Sequence, residues 1–374
     1  MAIAIALLLI VAGSVAFHVV TPWWSTPLAS NWGAMDDTMT VTVIVTGIFF
    51  VVINLFVVYT LWRFRHRRDA RAAYEPENKR LERWLIGVTT VGIVALLAPG
   101  LVVYARFVDP PQEAMQLEVL GQQWQWRFRL PGADGAMGGS DVRFVSGDNP
   151  FGLDPSDPKA QDDVLIGANE VHLPLGQPVK VLLRSHDALH DFFVPNFRAR
   201  MNIVPGQVSW FWFTPTRTGR FEAMCAQLCG VGHPAMRGFV VVDDAAAYQA
   251  WLQQQPTFAM TLAKVPAGAP GSAQDLLARG RDLAQSKGCV ACHTVDGRSG
   301  VGPTWKGLYG KTETFADGST ALVDEAYLRG FIRDPKARNV KGFPPVMPQI
   351  ELAGDELDAL VAYIIAQSDR RPQR

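Results

Sequence analysis

The sequence predicts a multidomain membrane protein with transmembrane helices first, then an all-β sandwich, then an all-α domain. Three observations support this order. Long apolar runs lie before residue 107, and short runs rich in Val, Phe and Trp, separated by Gly and Pro, begin near residue 116. Helical periodicity returns after residue 272. At 374 residues the chain is also too long for one ordinary domain.

Two uncharged runs, residues 41–62 and 85–105, predict a transmembrane helical hairpin. They hold 22 and 21 residues, which matches the roughly 20 residues that a helix needs to cross the hydrocarbon core. The segment between them is basic, which favours a cytoplasmic location for this loop and an external location for everything after about residue 107. Its eight cationic residues are Arg63, Arg65, Arg67, Arg68, Arg71, Lys79, Arg80 and Arg83.

Residues 1–20 form a third apolar run, which is either a further transmembrane helix or a signal peptide. A signal peptide usually begins with a positive region, and no Lys or Arg precedes this run. The retained helix is therefore favoured, and cleavage stays open.

Four runs between residues 117 and 225 read as strands of an antiparallel sandwich or barrel. Residues 131–163 are rich in Gly, Asp and Pro and predict a long loop. Their carboxylates could bind a hard cation, but a solvated insertion is favoured.

Charge and cysteine content exclude two classes of protein. The chain has 35 Lys+Arg and 35 Asp+Glu, so it lacks the basic surplus that a nucleic-acid partner would require. It has only four cysteines, which is too few for a disulfide scaffold.

Soft metal ligands cluster in the sequence Cys-Ala-Gln-Leu-Cys-Gly-Val-Gly-His-Pro-Ala-Met. Cys225, Cys229, His233 and Met236 lie within it, and His190 lies upstream. Thiolate and thioether select copper or iron–sulfur, and two bridging thiolates would suit a pair of copper ions. A zinc site would leave Met236 without a role, and a Cys225–Cys229 disulfide would leave both histidines without one.

This segment resembles the binuclear copper (CuA) site of cytochrome c oxidase subunit II, whose motif is Cys-x-Glu-x-Cys-x-x-x-His-x-x-Met. The resemblance spans roughly residues 35–245 and includes Gly-Gln-Gln-Trp-Gln-Trp and Ser-x-Asp-x-x-His. It implies a cupredoxin-like sandwich. The implied copper ligands are His190, Cys225, Cys229, His233, Met236 and the main-chain carbonyl of Gln227. It also implies that electrons enter at Trp124 and that His186 is not a ligand.

The chain departs from the family pattern at two carboxylates. Gln227 stands where the family has Glu, and Asn202 stands where it has Asp. These changes put the family's magnesium site, at the interface with subunit I, in doubt. Glu82 resembles the carboxylate at the mouth of a proton path, although a simple helix-end position is nearly as well supported.

Cys289-Val-Ala-Cys292-His293 is the attachment signature of a c-type haem. Met347, in a Pro-rich loop, is the predicted second axial ligand, and His/Met ligation raises the haem potential. Residues 271–370 resemble a class I cytochrome c, with Gly302-Pro303 in the expected place.

These segments predict five regions. They are an amino-terminal apolar segment with an external loop (1–38), a transmembrane hairpin (39–107), a copper domain (108–253), a linker (254–272) and a cytochrome c domain (273–374). The fusion resembles subunit II of caa3-type haem–copper oxidases. It implies a subunit that takes electrons from cytochrome c and passes them through haem c and copper to a catalytic subunit, where oxygen becomes water and protons are pumped.

The expected partners are the catalytic subunit I, subunit III, the cytochrome c donor and the membrane, with no nucleic acid. The expected location is the bacterial inner membrane, multi-pass, with both cofactor domains on the outer side. Two alternatives are a CuA-containing nitric oxide reductase and a membrane-tethered electron carrier without a fixed enzyme partner.

Overall fold

The computed structural model describes residues 2–21, 26–66, 76–146, 149–263, 273–298, 300–350 and 352–368. The chain divides into two compact units, residues 1–109 and 110–374. Part of the predicted basic loop, including Arg67, Arg68 and Arg71, lies outside the described residues.

The first unit consists of three apolar helices, each long and apolar enough to cross a membrane. They are α1 (Ala2–Val20), α2 (Gly33–Arg63) and α3 (Lys79–Phe107). The two predicted runs lie inside α2 and α3, and the third run forms α1. Asn54, the most polar side chain of the first run, donates to the carbonyl of Phe50 at 2.7 Å. A polar group satisfied within its own helix is compatible with hydrocarbon.

The second unit begins with a sandwich of two five-stranded sheets, in the orders β3-β2-β1-β5-β8 and β4-β10-β9-β6-β7. The strands are β1 (Met115–Gln122), β2 (Gln125–Leu130), β3 (Val164–Ile166), β4 (Glu170–Pro174), β5 (Val179–Ser185), β6 (His190–Val194), β7 (Ala199–Ile203), β8 (Ser209–Phe213), β9 (Gly219–Cys225) and β10 (Arg237–Asp243). Aromatic side chains fill the core between the sheets, where the rings of Trp126 and Phe192 meet edge to face at 5.2 Å.

The sandwich, predicted as antiparallel, also contains two parallel strand pairs. β1 pairs with β5 in parallel, and β10 pairs with β4 in parallel. The chain leaves the first sheet for β4 and returns as β5, so two strands far apart in sequence become neighbours with the same direction. The alternation of apolar and polar residues within one strand does not predict which strand it pairs with or in which direction.

The insertion over residues 131–163 is irregular, as predicted, but its last residue is not solvated. Asp163 is buried and accepts from Arg129 at 2.9 Å and from the main-chain N–H of Gly138 at 3.0 Å. Arg129 also pairs with Glu118. A buried carboxylate requires such a counter-charge, so these ion pairs fix the end of the insertion to the sheet.

The predicted linker over residues 254–272 is also wrong in its first half. Helices α4 (Ala245–Leu252) and α5 (Phe258–Ala263) continue the sandwich domain. Phe258 is buried beside Leu120 and Leu153, and its N–H donates to the carbonyl of Asp163 at 2.8 Å. The segment is rich in Pro and Ala, a composition typical of linkers, so the burial of its one aromatic residue was not predicted. Residues 264–272 lie outside the described part of the chain.

The remaining elements form an all-α domain with one short hairpin. They are α6 (Ala273–Ser286), β11 (Thr312–Thr314), β12 (Thr320–Leu322), α7 (Glu325–Arg333) and α8 (Gly354–Ala366). Helices α6 and α8 cross closely at Gly280, where a Cβ would lie only 2.1 Å from the carbonyl oxygen of Ala359. The helical periodicity noted after residue 272 lies in α6 and α8, whereas the hairpin was not predicted.

Candidate metal centres

The soft ligands predicted from the sequence converge at one end of the sandwich. His190 begins β6 and Cys225 ends the neighbouring strand β9, while the loop from β9 to β10 carries the other residues. The two Sγ atoms lie 3.7 Å apart. Nδ1 of His190 is 4.0 Å from Cys225 Sγ, and Nδ1 of His233 is 3.7 Å from Cys229 Sγ.

Two further donors complete this group. Sδ of Met236 is 3.9 Å from Cys229 Sγ, and the carbonyl oxygen of Gln227 is 3.1 Å from Cys225 Sγ. Ligands about 2.0–2.3 Å from a tetrahedral ion are separated by about 3.3–3.8 Å. The two spacings of 3.7 Å lie in this range, and the other three lie just outside it. The two thiols, two imidazoles and one thioether therefore fit soft metal ions such as copper.

Asp187 orients His190 and was not predicted as a site residue. Its Oδ1 lies 2.9 Å from Nε2 of His190, and its Oδ2 accepts from the main-chain N–H of Gln123 at 2.8 Å. With Nε2 engaged, Nδ1 is the nitrogen that faces the thiols. Such a carboxylate–histidine pair fixes the tautomer and orientation of a metal ligand. Asp187 is the Asp of the Ser-x-Asp-x-x-His element, so this element of the sequence could have indicated its role.

The pKa values of the two thiols are shifted in opposite directions. Burial alone would raise the pKa of Cys225, but hydrogen bonds from His190 and from the main chain at Asp191 and Gln227 lower it to about 6. Burial and the adjacent charge of Cys225 raise the pKa of Cys229 to about 12. Burial opposes the charged form of His190, but Asp187 and Cys225 outweigh it and raise the pKa of the imidazole. Metal binding must therefore displace protons from this group.

Trp124 lies against the loop that holds the cysteines. Its Nε1 donates to the carbonyl of Cys229 at 3.1 Å, and the side chain of Gln123 donates to the same oxygen at 2.8 Å. A Cβ on Gly232 would lie 2.3 Å from Cδ2 of Trp124, so this position requires glycine for the indole to pack there.

The other residues singled out in the sequence lie outside this group. His186 is exposed, and Glu82 lies in the first turn of α3. Asn202 is exposed opposite Asp191, which accepts from Arg200 at 2.9 Å. Among the described residues, the only metal-competent group of three or more His, Cys, Asp and Glu is His190, Cys225 and Cys229.

A large cavity in the helical domain brings the other predicted site residues together. It encloses about 1310 Å³, part of it open to solvent, and is lined by Cys289, Cys292, His293 and Met347. Trp124 also lines it. Most of the remaining wall is apolar, including Leu328, Ile332, Leu360 and Ile364.

The wall of this cavity orients His293. Its Nδ1 lies 2.8 Å from the carbonyl oxygen of Pro303, which leaves Nε2 as the nitrogen able to bind iron. Trp305 stacks on the imidazole at 5.4 Å, and a Cβ on Gly302 would lie 2.5 Å from Cε1 of His293. Burial lowers the pKa of His293, which favours the neutral ring that a metal requires. An apolar volume with two thiols and this histidine fits a covalently attached haem.

Comparison with known proteins identifies the family. The family described as "Cytochrome C oxidase subunit II, periplasmic domain" matches residues 115–244, and the family described as "Cytochrome c" matches residues 277–367. The "Alternative cytochrome c oxidase subunit 2" of Bradyrhizobium diazoefficiens is 56% identical over 259 residues, covering 69% of this chain and 94% of that protein. This chain belongs to the cytochrome c oxidase subunit II family.

More distant subunit II proteins match as well. "Cytochrome c oxidase subunit 2" of Cereibacter sphaeroides is 29% identical, covering 62% of this chain and 78% of that protein. "Cytochrome c oxidase subunit 2" of Alkalihalophilus pseudofirmus is 24% identical, covering 88% of this chain and 85% of that protein. The expected fold is confirmed: apolar helices, a cupredoxin-like sandwich and a cytochrome c domain fused after it, consistent with a caa3-type subunit II.

Membership of this family gives the role and the cofactors. The chain is a membrane-anchored subunit through which electrons enter a haem–copper oxidase, and it works with a catalytic subunit and a cytochrome c donor. Its sandwich domain implies the binuclear copper CuA, and its helical domain implies haem c. The reduction of oxygen takes place in the oxidase complex of which this chain is one subunit.

Proposed function

We propose that this subunit II connects a haem in the helical domain with copper in the sandwich domain through Trp124. One observation carries the proposal. The indole of Trp124 lines the cavity that fits the haem, and its Nε1–H donates to the carbonyl of Cys229 at 3.1 Å. Cys229 contributes one of the two thiols at the candidate copper site, so a single side chain contacts both regions.

The proposed haem site consists of four residues. Cys289 and Cys292 would form the covalent attachment, and His293 and Met347 would bind the iron. All four line the same cavity. The proposed copper ligands are His190, Cys225, Cys229, His233, Met236 and the main-chain carbonyl of Gln227. Each cofactor supplies one-electron transfer when bound, and the side chains of this chain hold and orient it.

We propose that the oxidase also includes subunit III and that the chain is a multi-pass protein of the bacterial inner membrane. Helices α1, α2 and α3 support several membrane crossings by their length and composition. The cationic residues before α3 support a cytoplasmic loop, with both cofactor domains on the opposite, periplasmic side.

We also propose a revised division of the chain. Residues 1–38 and 39–107 keep the division predicted above. The sandwich domain runs from residue 108 to Ala263, because Phe258 packs against it. Residues 264–272 would form the linker, and the cytochrome c domain would occupy residues 273–374.

Purification of the intact complex tests the proposed function. We expect covalently bound haem c on this chain, and a mixed-valence copper signal in electron paramagnetic resonance. Zinc in place of copper, or a chain without covalent haem, would contradict the proposal. Oxygen uptake, compared with nitric oxide consumption, distinguishes an oxidase from a nitric oxide reductase.

A further inference from the structure

Gln123 lies beside Trp124 in the connection between β1 and β2, and it makes the same two kinds of contact. Both residues line the cavity that fits the haem. The side-chain Nε2 of Gln123 donates to the carbonyl of Cys229 at 2.8 Å, which is shorter than the 3.1 Å from Nε1 of Trp124 to the same oxygen. Gln123 therefore also joins the cavity wall to the loop that carries the cysteines.

The two side chains do not compete for this carbonyl. A carbonyl oxygen has two lone pairs, so it accepts two N–H donors at once. The cysteine loop also packs closely against both side chains. A Cβ on Gly230 would lie 3.0 Å from Cζ2 of Trp124 and 3.1 Å from Nε2 of Gln123. The two hydrogen bonds therefore form together.

The main chain of Gln123 is held by the carboxylate that orients a candidate copper ligand. Its N–H donates to Oδ2 of Asp187 at 2.8 Å, and Oδ1 of Asp187 lies 2.9 Å from Nε2 of His190. This second contact fixes Gln123 in place, although the residue as a whole is exposed.

These contacts leave only short non-bonded steps between the cavity wall and a candidate copper ligand. A hydrogen bond brings two heavy atoms to about 3 Å, whereas carbon atoms in van der Waals contact stay about 3.5–4.0 Å apart. Electronic coupling decreases steeply with the length of each non-bonded step, so a short hydrogen bond favours electron transfer. From the carbonyl of Cys229, covalent bonds lead directly to its Sγ, which lies 3.7 Å from Sγ of Cys225.

We propose that Gln123 provides a second route for electrons from the cytochrome c domain to the copper ligands, parallel to Trp124. This inference rests on the proposed function, because it requires haem in the cavity and copper at the cysteines. The step moves one electron from donor to acceptor, so no bond forms or breaks and no proton moves. With two routes, the loss of either one slows the transfer without stopping it.

Parallel routes have a quantitative signature. The couplings of the two routes add, and the rate follows the square of their sum. If Trp124→Leu lowers the rate about tenfold, about a third of the coupling remains for Gln123. Loss of Gln123 should then lower the rate only about twofold when Trp124 is present, but on the order of tenfold when Trp124 is absent.

The rate of electron transfer from haem c to copper, measured after flash reduction in the intact purified complex, tests this inference. Gln123→Leu keeps most of the side-chain volume but cannot donate to Cys229. We compare wild type, Gln123→Leu, Trp124→Leu and the double variant. We expect the larger fold-change from Gln123→Leu in the Trp124→Leu background, with unchanged reduction potentials and an unchanged copper signal in electron paramagnetic resonance.

A purely structural role gives different results. If Gln123 only supports the cysteine loop, Gln123→Leu should change the copper signal or the copper potential, and it should slow the transfer equally in both backgrounds. Either of these results overturns the inference, as does a wild-type rate in Gln123→Leu together with a double variant no slower than Trp124→Leu.

Gln122→Leu is the matched control. It makes the same change one residue earlier, where the side chain accepts from Gln125 at 3.4 Å, and it should keep the wild-type rate. An equal loss of rate in this control also overturns the inference. If Gln123→Leu does not assemble, Gln123→Met replaces it, because Met is unbranched and also lacks an N–H donor. Absence of covalent haem or of the copper signal from the wild-type chain is a different failure, since it contradicts the proposed function itself.

Discussion

Cys225 of the candidate copper site and Cys289 of the haem cavity lie in different environments. At the copper site, hydrogen bonds from His190 and the main chain outweigh burial and lower the pKa of Cys225 to about 6. In the haem cavity, burial dominates and raises the pKa of Cys289 to about 11. The first environment prepares a thiolate that can bind metal, and the second keeps a thiol in an apolar wall.

The two sites also differ in how they are built. Six donor atoms at the end of the sandwich are already grouped, with neighbouring donors 3.1–4.0 Å apart. The candidate haem site is an apolar cavity, open in part to solvent, in which His293 is fixed by Pro303, Gly302 and Trp305. Individual polar contacts should therefore control the copper site, whereas the shape and polarity of the wall should control the haem site.

The largest expected effect is the loss of copper in Cys229→Ser. A hydroxyl cannot replace a thiolate that several donors surround, so the mixed-valence signal in electron paramagnetic resonance should disappear. His186→Ala is the matched control, because His186 is exposed and outside the donor group. Loss of the signal in the control would mean that the wrong histidine was assigned.

The second-largest expected effect is a lower reduction potential of the haem in Met347→Leu. Met347→Leu keeps a side chain of similar volume but removes the thioether, so the potential should fall by on the order of 100 mV, equivalent to about 2.3 kcal/mol. Redox titration of the haem band measures the change. Met260→Leu, at an exposed position in α5, should leave the potential unchanged. An unchanged potential in Met347→Leu would show that Met347 does not bind the iron.

A smaller effect is expected from Asp187→Asn. Asp187 accepts from both His190 and the main chain of Gln123, and an amide offers only one acceptor oxygen for these two donors. The affinity for copper should fall about 10–100-fold, as measured by competition with a chelator.

Asp157→Asn is the corresponding control. Asp157 also accepts from two main-chain N–H groups, at Gly139 and Lys159, but it lies in the insertion over residues 131–163. Equal losses of affinity in both variants would argue against a specific role for Asp187.

The smallest expected effect is a slower electron transfer in Gly232→Ala. The added Cβ would lie 2.3 Å from Trp124, so the indole must move away from the copper loop. We expect transfer from haem to copper to slow on the order of tenfold, equivalent to about 1.4 kcal/mol in the barrier, while the copper signal remains. Gly330→Ala is the control: a Cβ at this position would have no neighbour within 4 Å, so the variant should keep the wild-type rate.

The parts of each site that depend on short sequence spacing could be predicted. Cys225, Cys229, His233 and Met236 lie on one loop, and Cys289, Cys292 and His293 lie within five residues, so their chemistry is visible in the chain itself. The transmembrane runs and the helices α6 and α8 were visible for the same reason, because their periodicity or length is local.

The residues that the sequence did not predict depend on contacts that form only when the chain folds. Asp187 acts on His190 and also accepts from Gln123, which lies in another strand connection, and Trp305 reaches His293 only after the chain folds back. Glu313 is buried on the wall of the cavity in the helical domain, which no local sequence pattern predicts. The burial of Asp163 and Phe258 depends in the same way on tertiary partners that no local pattern records.

We propose that Trp124 connects the two unlike sites, and one rate of electron transfer tests this connection. After flash reduction of haem c in the intact complex, the first-order rate of electron transfer to copper is compared between wild type and Trp124→Leu. We expect a rate at least about tenfold lower in the variant, with both reduction potentials unchanged. A wild-type rate in Trp124→Leu would contradict it.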